Sequence, residues 1–84
     1  MTSTNSVNVE NTNMRQMYRV EFTDEVATEW VAHEAAEGMG LMGIYTSTVG
    51  RTITAWGECE EGAEELLEQS MDDDDRVASY QVVM

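Results

Sequence analysis

In MYRVEF, Met17 to Phe22, apolar and charged residues alternate, so that Tyr18, Val20 and Phe22 share one side and Arg19 and Glu21 the other. A period of two is the mark of a strand with one buried face. The residues that follow change period. Thr23 or Asp24 can cap a helix whose first turn places Asp24 and Glu25 at the positive end of the dipole. That helix is expected to run to Glu37 before Gly38 stops it, with Val26, Ala27, Trp30 and Val31 as its buried stripe. LMGIYTS (Leu41 to Ser47) and RTITAW (Arg51 to Trp56) then read as two strands, with Thr48, Val49 and Gly50 as a three-residue hairpin loop. A second helix is expected over about Glu60 to Met71, with Cys59, Ala63, Leu66, Leu67, Ser70 and Met71 on one stripe. RVASYQVV, Arg76 to Val83, supplies the last strand.

Strand, helix, strand, strand, helix, strand is the pattern of an α+β, ferredoxin-like βαββαβ sandwich, in which two helices cover one face of a four-stranded antiparallel sheet. Right-handed crossovers give the strand order 4-1-3-2. The covered face then takes Tyr18, Val20, Phe22, Met42, Ile44, Ile53, Ala55, Ala78, Tyr80 and Val82. The open face takes Arg19, Glu21, Tyr45, Thr52, Thr54, Trp56, Ser79 and Gln81. At 84 residues the chain has room for one modest core, so a single domain is expected over residues 17–84. Residues 1–16, rich in Ser, Thr and Asn, carry no sustained period and read as a flexible polar tail.

Charge narrows the functional classes. Seventeen acids stand against four arginines and no lysine, a formal net charge of -13, and ten of those acids fall between Gly57 and Asp75. Unaided binding to nucleic acid or an anionic membrane is strongly disfavoured by repulsion, so a macromolecular partner should be basic. The single cysteine, Cys59, rules out an intrachain disulfide and fits a reducing cytoplasm. Neither a signal peptide nor an apolar run long enough to span a membrane is visible.

The second helix is built against its own electrostatics. Its outward face presents Glu60, Glu61, Glu64, Glu65, Glu68 and Asp72, several at i, i+4 spacing, and Asp73, Asp74 and Asp75 continue the array. Each such like-charge pair costs a few tenths of a kcal/mol (about 0.2–0.5). The plain alternative is a solvated face, commonplace on surface helices, against which the absence of lysine and the overall charge weigh. Glu25 and Glu29 on the first helix form a second row on the same side of the sheet. A rigid carboxylate array of this kind can imitate the phosphates of nucleic acid and be drawn by steering into a basic channel.

Other chemistry finds less support. HEAAE, His33 to Glu37, has the helical spacing of a zinc motif but puts Glu37 where the second histidine should stand, and His33 is the only histidine, so no metal site is expected. Asp72 to Asp75 lacks the spaced ligands and glycine of a calcium loop. Cys59 lies on a buried stripe between Glu58 and Glu60, which disfavours a thiolate nucleophile. With no nucleophile and base at productive spacing and no phosphate loop, neither an enzyme nor a cofactor is expected. Tyr45 and Trp56 resemble the aromatic platform of RNA-recognition domains, yet only Arg19 and Arg51 stand near, which argues against RNA and leaves a protein contact, a homodimer or simple exposure of the pair.

In size, charge, lack of catalytic residues and the acidic helix ELLEQSMDDDD (Glu65 to Asp75), the chain from about Met17 to Met84 resembles phage-encoded DNA-mimic inhibitors, anti-CRISPR proteins among them. The resemblance implies a host-cytoplasmic inhibitor that binds a basic nucleoprotein complex, such as a CRISPR-Cas surveillance complex, and blocks its DNA site. Glu60, Glu61, Glu64, Glu65, Glu68, Asp72 to Asp75, Glu25 and Glu29 are the residues expected to carry that role. The alternative is a salt-adapted acidic domain, or a dimeric ferredoxin-like interaction or ligand-sensing module acting through Tyr45, Trp56 and Arg19 on its open sheet face.

Overall fold

The structure, a computed structural model, describes residues 15–83. Most of the segment read as a tail, residues 1–14, lies outside the described residues, and Gln16 already belongs to the first strand. Six elements follow: β1 Gln16–Phe22, α1 Glu29–Met39, β2 Leu41–Val49, β3 Thr52–Cys59, α2 Glu64–Asp73 and β4 Val77–Val82. The strands form one antiparallel sheet in the order β2-β3-β1-β4, which read from the β4 edge is 4-1-3-2. Both helices contribute to a single core with Tyr18, Val20 and Phe22 of β1, so they lie on the same face of the sheet.

Helix α1 starts later than its acids suggest. Thr23 Oγ1 accepts from the Glu25 amide at 3.3 Å in a local turn, and Val26 leaves that turn to enter the core. The N-cap is Thr28, in extended conformation, whose hydroxyl accepts from the Val31 amide at 3.2 Å. At the other end Gly38 stays helical, and Gly40, at φ 116, closes the helix by donating to the carbonyls of Ala36 and Glu37. Starting at Glu29 re-phases the helix. Ala32, Ala35 and Ala36 are buried, whereas Trp30, expected inside, is 72% exposed and Ala27 precedes the helix on the surface.

The same shift affects α2. Strand β3 runs on to Cys59, and a turn at Glu60–Ala63 with Gly62 at φ 90 delays the helix to Glu64. Its buried residues are Leu67 and Met71, with Ala63 packed at the edge of the core, while Leu66 (70% exposed) and Ser70 face solvent. Glu64 and Glu65 occupy the first turn, where the helix dipole favours them.

Two bulges correct the expected sheet faces. In β2 the register passes from Met42↔Glu58 to Tyr45↔Trp56, so Gly43 and Ile44 together oppose Gly57, and Gly43 adopts φ 59. The extra residue lets Leu41 and Ile44 both reach the core and sends Met42, expected beneath the helices, to the open face. Gly57 makes room for this crowding. A Cβ there would stand 2.8 Å from Leu41 Cβ and 3.2 Å from the Met42 carbonyl oxygen. In β4 the register shifts between Glu21 and Phe22, so Val77 packs on the core and Ala78, expected there, is exposed. The β2–β3 connection is the two residues Gly50 and Arg51, with Val49 paired to Thr52, so it is one residue shorter than expected.

Candidate interaction surface on the helical layer

The helices and the turns that enter and leave them, Asp24 to Glu37 and Glu60 to Asp75, hold fourteen of the seventeen acids and no lysine or arginine. The structure sorts the expected site residues into two groups. Glu68 Oε2 accepts from the Tyr18 phenol at 2.6 Å, and Asp72 Oδ1, one turn on, accepts from the Tyr80 phenol at 2.9 Å. These two bonds tie α2 to β1 and β4. Burial and then the Glu68 bond push the Tyr18 phenol well above its ordinary value, and the Asp72 bond raises that of Tyr80.

Three more of the expected acids are used locally. Asp74 binds Arg76 through both carboxylate oxygens, at 3.0 Å from Nε and 2.8 Å from Nη2, and also accepts the Arg76 amide, so its carboxyl is held below the usual range. Glu64 accepts the Gly62 amide at 3.1 Å. Glu29 receives the hydroxyls of Thr46 at 3.0 Å and Thr48 at 2.6 Å, which fastens the start of α1 to β2. Of the expected array, then, only Asp74 is paired with a cation, while Glu29, Glu64, Glu68 and Asp72 accept from neutral donors. Glu60, Glu61, Glu65, Asp73, Asp75 and Glu25 are exposed and find no side-chain partner among the described residues, so these present free charge.

The open sheet face is arranged differently. Arg19 pairs with Glu21 at 3.0 Å and Arg15 with Glu58 at 3.7 Å, leaving little net charge there. Between them Tyr45 and Trp56 pack with ring centroids 5.4 Å apart and planes tilted by 42°. Trp56 sits opposite Arg19 in the register, and Tyr45 is 64% exposed. Thr54, placed on this face by alternation, is only 6% exposed, since β3 is a central strand flanked by Glu21 and Ser47.

Cys59 is buried, and burial followed by the charges of Glu64 and Glu60 pushes its thiol up, which suits a packing residue. His33, Glu34 and Glu37 bring ligand atoms within 4.8 Å of one another on the surface of α1, a consequence of their i, i+1, i+4 spacing. No helix among the described residues is long and apolar enough to cross a membrane.

What the sequence reading missed is a groove between the helices. Buried or half-buried Val31, Ala35 and Met39 form its floor, while Trp30, Glu34 and Gly38 of α1 and Ser70 of α2 form its rim. The Asp74–Arg76 pair stands at one end, and the whole has a volume of about 410 Å³. The signal for it was Thr28, a better cap than Asp24 because Thr28 lets Val26 turn into the core. Capping at Thr28 fixes Trp30 on the outer side. No protein-family model, curated protein or solved structure matches this chain.

Proposed function

We propose that this protein is a non-catalytic acidic inhibitor with a ferredoxin-like βαββαβ fold. It presents its helical layer to a basic nucleic-acid-binding complex, such as a CRISPR-Cas surveillance complex, and competes there with DNA. One observation carries the reading: the acids are segregated onto the helical layer and its turns, while the arginines of the sheet face are paired with glutamates. Charge kept for solubility alone has no reason to be one-sided, whereas a surface that meets lysines and arginines made for phosphates does. The contact set is narrower than spacing suggested. Glu60, Glu61, Glu65, Asp73 and Asp75, with Glu25 as a second row, are the residues whose carboxylates are not already engaged within the protein.

The test is a pull-down from host cells followed by DNA competition on the recovered basic complex. Reversing Glu61, Glu65 and Asp73 to lysine should lower affinity by about 100-fold or more while the fold persists, since none of the three supports it. Full retention of inhibition by that triple variant would overturn the proposal. A second reading, assembly through the open sheet, is favoured by the pairing of exposed Tyr45 with half-buried Trp56 on the one face without net charge. Sedimentation distinguishes it, because a sheet-mediated dimer should dissociate on Trp56→Ala and an inhibitor acting through its helices should remain active.

A further inference from the structure

Trp30 and Leu66, 72% and 70% exposed, are the most exposed large apolar side chains of the helical layer, one on α1 and one on α2, and the groove runs between those helices. Trp30 lines it directly, and Leu66 precedes Ser70 by one helical turn on the same side of α2. Small residues at Ala35, Gly38 and Ser70 leave the groove unfilled. Trp30 and Gly38 lie eight residues apart, about 12 Å of helix, the span of anchor side chains at i, i+4 and i+7 on a facing helix.

We propose, building on the acidic-surface reading above, that this groove docks an amphipathic basic helix of the partner. An apolar stripe of that helix lies between Trp30 and Leu66, and its flanking lysines and arginines meet Glu34, Glu65 and Asp73. Three considerations select that occupant. Both groove walls are helices whose backbone groups are engaged internally, so an extended peptide would find no ladder to join, while a helix brings its own hydrogen bonds satisfied. The rim charge is negative, and Arg76, the one cation at the groove, is held by both oxygens of Asp74. A second copy of this chain would bring the same negative rim against it, and a nucleic acid would bring phosphates. The apolar anchors explain what a pure phosphate imitation does not, namely why an acidic layer keeps an exposed tryptophan beside a groove.

The experiment uses the full chain carrying Trp56→Phe, so that tryptophan emission reports Trp30 alone. Three synthetic helical peptides are titrated: an amphipathic leucine/lysine peptide, its leucine-to-glutamine counterpart of equal charge, and its lysine-to-glutamine counterpart without charge. The leucine/lysine peptide should bind and shift Trp30 emission to the blue. Either counterpart should bind about tenfold more weakly, because one lacks the anchors and the other the attraction. Trp30→Ala and Leu66→Ala should each weaken the leucine/lysine peptide about tenfold without changing the melting temperature, since both side chains are exposed. Gly38→Gln, whose side chain enters open space in the groove, should do the same.

Equal binding of the two charged peptides, or an unchanged affinity in Trp30→Ala, overturns the groove proposal. If reversal of Glu61, Glu65 and Asp73 still abolishes binding to the native complex in that case, the acidic-surface reading stands alone. If the reversal has no effect either, both fall. A concentration-dependent dimer that Trp30→Ala dissociates would make a second copy the occupant and overturn the proposal in favour of self-association.

Discussion

The two faces of this small sheet treat charge in opposite ways. On the open face Arg15 and Arg19 each meet a glutamate, and the exposed material between them is aromatic. On the helical face the acids outnumber every available cation. The acids expected to meet a partner divide into a row that serves the fold (Glu29, Glu64, Glu68, Asp72 and Asp74) and a row with no internal partner (Glu25, Glu60, Glu61, Glu65, Asp73 and Asp75). The first row shows how such a helix is held in place despite repulsion: two tyrosines from the covered side of the sheet donate to carboxylates one turn apart. The second row is charge that the fold does not need, on the same layer as the groove that Trp30 lines.

The largest effect that separates the faces should come from Gly57→Ala. The new Cβ would press on Leu41 and the Met42 carbonyl at the β2 bulge, costing about 1–3 kcal/mol, or about 4–8 °C in melting temperature for each kcal/mol. Denaturant unfolding measures it, and partner affinity per folded molecule should be unchanged. Parallel loss of affinity at full folding would show that the faces are not independent.

Tyr18→Phe cuts the bond that joins the layers and should cost about 1.5 kcal/mol, the lower end for hydrogen bonds to a charged group, because Glu68 is only half-buried. Its pH dependence has a definite sign. The folded phenol is raised above its ordinary value of 10.0, so its contribution is complete below pH 10 and is lost as pH rises through the folded value. Stability of the unsubstituted protein should therefore fall at alkaline pH, and the phenylalanine variant should fall less steeply. Identical alkaline limbs would remove Tyr18 from that role.

Neutralising Glu61, Glu65 and Asp73 together, to Gln, Gln and Asn, should raise stability at low salt by about 0.5–1 kcal/mol and flatten the rise of melting temperature with salt. The same variant should lose affinity for the basic complex. Opposite signs for stability and binding mark charge kept for a partner. A protein stable only above about 1 M salt, where the Debye length is near 3 Å, would instead mark salt adaptation. The smallest change is expected for Trp56→Ala. Its sedimentation should match that of the unsubstituted chain, and a shift from dimer to monomer would transfer the functional role to the sheet.

The order of elements was legible because each carries its own period: MYRVEF could pair only as a half-buried strand, and Leu67 with Met71 could lie only on a buried helix stripe. Helix starts were less so. Asp24 and Thr28 are both acceptable caps, and the choice between them depends on whether Val26 is better buried from a turn or from a helix, which is a property of the packed core. Trp30 was misplaced for that reason, and Leu66 because the turn at Glu60–Ala63 delays α2 to Glu64. The bulges at Gly43 and Ala78 were equally out of reach, since strand alternation counts residues along one strand and a bulge is defined by its partner.

The amino-acid sequence by itself determined the α+β succession, the absence of lysine and the gathering of acids toward the helices, because period and charge are properties of the chain. Only the tertiary structure decided which of those acids are free. A carboxylate becomes structural when a phenol or guanidinium from elsewhere comes within hydrogen-bond reach, and Tyr18 meets Glu68 across fifty residues of sequence. The groove beside them exists for the same reason: two helices separated in the chain were set side by side with small residues between them.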